Sequence, residues 1–66
     1  MSLSGAPLCL TIELTDEDAW AFAQFLKRVA MDDYRRLAVD GDEACAMRDA
    51  GDAIHRALAE QGYAPR

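Results

Sequence analysis

The sequence predicts a small α+β fold, mostly α. One N-terminal β-strand is followed by two main α-helices with a short helical turn between them, and the strand pairs antiparallel across a homodimer. Three observations carry this reading. Leu8, Leu10, Ile12 and Leu14 alternate with Cys9, Thr11 and Glu13, the period-2 pattern of a strand with one buried face. From Thr15 the apolar spacing changes to that of a helix behind a capping residue. The same change recurs after Asp40.

Residues 1–7, with Ser2, Ser4, Gly5 and Pro7, read as a loose lead-in. The strand occupies residues 8–14. No second strand is legible, because Leu37, Ala38 and Val39 are too few and sit between helical signals. A lone strand leaves its backbone N–H and C=O groups unpaired. The most economical partner is the same strand of a second copy across a two-fold axis, so Leu8, Leu10, Ile12 and Leu14 are the expected dimer strand.

The first helix is expected at residues 15–31. Thr15 suits the N-cap, and Asp16, Glu17 and Asp18 place three carboxylates at the positive end of the helix dipole. Asp18 stands where a capping box usually carries Glu. At about 100° per residue, Ala19, Phe22, Phe25, Leu26, Val29 and Ala30 form one apolar stripe. Trp20 falls outside it, on a flank with Gln24, Lys27 and Met31. A tryptophan so placed either closes the rim of the core, under residues 31–39 or the C-terminal tail, or meets another chain.

Residues 32–41 read as a short helical turn and a loop, with Tyr34, Leu37 and Ala38 turned inward. Asp40 and Glu43 make a capping pair for a second helix at residues 42–61. Its expected inner stripe is Met47, Ala50, Ile54, Ala57 and Leu58, flanked by Ala46 and Ala53. Outside, Arg48–Asp52, Asp52–Arg56 and Arg56–Glu60 have i,i+4 spacing. Gly62 suits the position after the helix, Tyr63 can fold back, and Pro65 stops continuation. Residues 62–66 form the tail.

Sixty-six residues make one small domain, whose core alone rarely contributes more than roughly 3–5 kcal/mol. Support from disulfides, a metal or self-association is therefore expected. Cys9 and Cys45 have no ligand spacing. One disulfide between them stays open, and buried free thiols in a reducing cytosol are the preferred reading. Self-association is the support that remains. No basic stretch precedes an apolar core at the N-terminus, and no apolar run approaches the roughly 18 residues of a membrane span. A soluble, cytoplasmic protein is expected.

Twelve acids against seven bases give a net charge of −5, which disfavours direct nucleic-acid binding and suits docking onto a basic protein surface. Lys27, Arg28, Arg35 and Arg36 form a local basic island beside Asp32 and Asp33, read as a solvated face. His55 is the only histidine and is expected on the outer side of its helix, with Asp52 three residues before it. It lacks the partners that catalysis or metal binding requires. The run Asp40, Gly41, Asp42, Glu43 enters a helix too soon for a calcium loop, and Cys45 has no base to activate it. Neither a phosphate loop nor a nucleophile motif is present. No catalytic residue, metal ligand or cofactor is assigned, and an enzyme is not expected.

The order strand–helix–helix is similar to ribbon-helix-helix repressors and antitoxins. In that family the outward strand residues read the major groove and are commonly basic or amide-bearing. Here they are Cys9, Thr11 and Glu13, and the connection over residues 31–42 is longer. The resemblance covers topology and implies no DNA-contact residue.

L-T-D-E-D-A-W-A-F-A-Q-F-L-K-R-V, D-Y-R-R-L-A-V-D and A-L-A-E-Q-G-Y-A-P-R together resemble a family of short uncharacterised proteins of bacterial phages, plasmids and integrated elements. This implies a neighbourhood of anti-defence and regulatory proteins. Anti-CRISPR proteins are similar in size, often acidic and often dimeric, and act by binding a host nucleoprotein. The expected function is thus a small acidic protein-binding module that modulates or inhibits a host protein or nucleoprotein. Trp20, Gln24 and Lys27 are its expected contact surface, with Glu17 and Asp18 steering a basic partner. The alternatives are a ribbon-helix-helix-like transcriptional regulator or antitoxin, and a structural accessory protein.

Overall fold

A computed structural model describes residues 7–65, so most of the expected lead-in lies outside the described residues. Three helices follow one another: α1 (Asp16–Arg28), α2 (Met31–Leu37) and α3 (Gly41–Glu60). Among the described residues there is no strand, and the α+β expectation is corrected to an all-α architecture. The segment 8–14 is irregular, with Leu8, Leu10, Ile12 and Leu14 between 81% and 50% exposed. Alternation specifies a face, but a backbone ladder needs a neighbour, and no other segment of the described chain offers one.

Local chemistry sets the helix ends. Thr15 Oγ1 accepts the Asp18 N–H at 3.0 Å and caps α1. α1 stops at Arg28, because Val29 turns extended (φ −65°, ψ 134°). The single helix expected over 15–31 is therefore split: the Ala30 N–H bonds to Asp33 Oδ2 at 2.8 Å, and Met31 opens α2. α3 starts behind Asp40, whose Oδ1 accepts the Glu43 N–H at 2.8 Å, while Glu43 Oε1 accepts the Val39 N–H at 2.9 Å. At its end Gly62 adopts φ 99°, a left-handed conformation in which a Cβ is penalised. There the Gly62 N–H reaches the Ala59 carbonyl and the Tyr63 N–H reaches that of Leu58, closing a Schellman motif.

α1 and α3 pack antiparallel, since Tyr63, just beyond α3, touches Trp20 and Asp16 at the start of α1. α1 buries Ala19, Ala23 and Leu26. α3 buries Ala44, Gly51 and Leu58, which are spaced seven apart and so lie along one line of the helix. Gly51 admits Tyr34: a Cβ there would collide with the Tyr34 hydroxyl and lie 3.6 Å from Leu26 Cδ2. Both helices are thus rotated from the stripes read in the sequence. Phe22 and Phe25 remain 41% and 51% exposed, Ile54 45% and Leu37 76%. Ala50 and Ala57 are exposed too, whereas His55 is half-buried. Ala19 and Ala23 of α1 cluster with Leu26 and Leu58, and Gly51 of α3 admits Tyr34 and Leu26, so the contact forms where small residues allow close approach rather than along the bulkiest stripe. Cys9 and Cys45 are exposed free thiols, not buried ones. The outer pairs of α3 also differ, with Arg48 reaching Asp49 at 3.3 Å.

Candidate functional site

Rotation of α1 and α3 leaves a continuous apolar surface on one side of the molecule. The Phe22 and Phe25 rings stack with centroids 5.3 Å apart and planes inclined by 18°. Phe25 and Val29 floor an open groove of about 600 Å³ with Leu37 of α2 and Met47 of α3, and Arg28 and Arg36 stand at its rim. Ile54 lies seven residues beyond Met47 and so on the same side of α3. Because α3 runs antiparallel to α1, Ile54 falls toward the Phe22 end of this surface. Five hydrophobic residues are buried among those described, and only Leu26 and Leu58 of them are larger than alanine. Most of the bulky apolar side chains therefore face outward. Monomeric proteins rarely expose contiguous apolar patches beyond a few hundred Å².

The surface expected around Trp20 lies on the opposite flank of α1. Trp20 meets Tyr63 edge-on, with centroids 5.1 Å apart and planes at 68°, and stays 39% exposed. Tyr63 donates from its hydroxyl to Asp16 Oδ1 at 2.6 Å, which pushes the Tyr63 pKa up, because the bond favours the neutral phenol. Gln24 is half-buried; Glu17, Asp18 and Lys27 are exposed. The structure therefore brings Trp20 together with Tyr63 and Asp16, and separates this flank from the groove.

The basic island divides between these features. Arg35 pairs with Asp32 at 3.1 Å and Arg36 with Asp33 at 3.0 Å. The Ala30 N–H holds the Asp33 carboxyl below its ordinary value of 3.8, against some desolvation and with help from Arg36. Arg28 forms no ion pair among the described residues. His55, Asp52 and Arg56 line a shallow depression, and no hydrogen bond links them among the described residues. In the same residues no three His, Cys, Asp or Glu side chains converge to hold a metal. No described helix is long and apolar enough to cross a membrane.

Sequence reasoning missed the groove face. Its one available signal was width: Phe25 round to Ala23 spans more of α1 than a single helix contact covers. In comparison with known proteins, a family model described as a family of unknown function (DUF7706) matches residues 1–66. No curated protein and no solved structure matches.

Proposed function

The chain belongs to that family of unknown function, and we propose that it is a small acidic protein-binding module that modulates or inhibits a host protein or nucleoprotein by occupying its surface. The observation that supports this is the outer flank of α1, where Trp20 stays 39% exposed beside exposed Glu17, Asp18 and Lys27. Burying apolar surface against another chain is the principal favourable term in association. Binding rather than catalysis is the activity, and the resemblance to proteins of phages and mobile elements gives its setting, an anti-defence role like that of anti-CRISPR proteins. Trp20, Gln24 and Lys27 contact the host partner, and Glu17 and Asp18 steer a basic surface toward them. The ribbon-helix-helix reading rested on a strand that the described residues do not form.

Trp20 also packs on Tyr63, so Trp20→Ala tests stability and binding together. Lys27→Glu changes an exposed side chain and isolates binding. The tagged protein should retain one identifiable host protein or nucleoprotein from lysate, and adding the purified module should lower that component's activity. Lys27→Glu should lose the capture with an unchanged melting temperature. Equal capture by the wild type, Lys27→Glu and Trp20→Ala, or no effect on the captured component, refutes the reading.

A further inference from the structure

We infer that the groove face is covered by a second copy of this chain, each copy laying its segment 8–14 across the Phe22, Phe25, Leu37, Met47 and Ile54 surface of the other. The inference rests on the binding-module reading and assigns the two flanks of α1 different partners: a second copy on the groove side, the host protein on the Trp20 side. It involves an apolar segment lying on helices, not strand pairing.

Three observations point to this occupant. The first is shape and polarity. Segment 8–14 carries Leu8, Leu10, Ile12 and Leu14, all at least half exposed, and in an extended chain alternate side chains point to one side. No residue of segment 8–14 lines the groove of its own copy, whose floor is apolar. One copy thus carries both an uncovered ligand and an uncovered site, and a two-fold axis satisfies the pair reciprocally.

The second is charge. Arg28 and Arg36 line the groove, together with Asp33, which pairs with Arg36 at 3.0 Å and leaves Arg28 as the groove's uncompensated charge. Glu13, Asp16, Glu17 and Asp18 are the only charged side chains before Lys27, and all are acidic. A segment docked with Glu13 at the rim sets carboxylates against guanidinium groups. Arg28, like Lys27 and Arg56, has no ion pair among the described residues, and of these three it is the one that lines the groove.

The third is area. Eight large apolar side chains, Leu8, Leu10, Ile12 and Leu14 on the segment and Phe22, Phe25, Leu37 and Ile54 on the face, are each at least 41% exposed, apolar surface of the kind that the core of a protein–protein interface removes from water.

The test uses the purified chain alone at micromolar concentration, so no host partner enters. Sedimentation equilibrium should give twice the 7.3 kDa chain mass. Ile12→Glu, on the segment, and Phe25→Glu, in the groove, should each weaken association by roughly 30-fold or more, the range of interface hot spots. Circular dichroism should show helix content retained in both. Mixing the two variants should restore dimers, because one intact segment then meets one intact groove. Arg28→Glu should weaken the dimer and Glu13→Arg should restore it. A wild-type monomer overturns the inference, as does a dimer indifferent to Ile12→Glu or an Ile12→Glu and Phe25→Glu mixture that stays monomeric. Any of these leaves the host-protein reading standing, since that is decided by Lys27→Glu capture.

Discussion

Gly51 is the position at which two physical effects of known sign oppose each other. In the interior of α3, Gly→Ala should stabilise the helix by about 1 kcal/mol through backbone entropy. Here the added methyl would collide with the Tyr34 hydroxyl and come within 3.3 Å of Tyr34 Cζ. Overpacking of this kind costs about 1–3 kcal/mol. Tyr34 is half-buried and can swing outward, which keeps the cost toward the lower end but detaches α2 from α3. Gly51→Ala is thus expected to be neutral or destabilising by up to about 2 kcal/mol.

Tyr34→Phe removes the colliding oxygen, and no side-chain hydrogen bond of that hydroxyl is present among the described residues to be lost. In the Tyr34→Phe background Gly51→Ala should recover part of its helix gain, a coupling of about 1–2 kcal/mol between the sites. For a chain of this size 1 kcal/mol shifts the melting temperature by roughly 4–8 °C. The four proteins of the cycle, melted by circular dichroism at one chain concentration, resolve that difference. If Gly51→Ala raised the melting temperature equally with Tyr34 or Phe at position 34, Tyr34 would not lie over Gly51 and the α2–α3 packing would be wrong.

Two further outcomes follow from burial and from proton linkage. Leu26→Ala removes a side chain only 9% exposed and should cost about 2–4 kcal/mol, whereas Val39→Ala, at 85% exposure, should change urea-unfolding stability by under about 0.5 kcal/mol. The Asp33 carboxyl is held below its ordinary 3.8 first by the Ala30 N–H, so its contribution is fully present above that value and is lost as pH falls through the lowered folded pKa. Melting temperatures taken from about pH 6 to about pH 2 should show wild type above Asp33→Asn at the upper end and converging with it at the lower. A gap that stayed constant with pH would show that Asp33 does not cap α2.

The sequence by itself determined the local events. Thr15 and Asp40 cap helices and Gly62 ends one, because each depends on a side chain or a φ angle within four residues of the helix terminus. It also indicated that the core of a chain this short needs support from outside itself. Tertiary structure alone decided which face of each helix is buried. Bulk put Phe22, Phe25, Ala50 and Ile54 inward on a helical wheel, but a wheel does not register how closely two backbones can approach. Ala19 and Ala23, clustered with Leu26 and Leu58, set that distance, with Tyr34 and Leu26 over the missing Cβ of Gly51, and the contact rotated accordingly. Tertiary structure also decided the fate of 8–14, because alternation fixes a face whereas a strand requires a neighbouring backbone, and the described residues form none beside it.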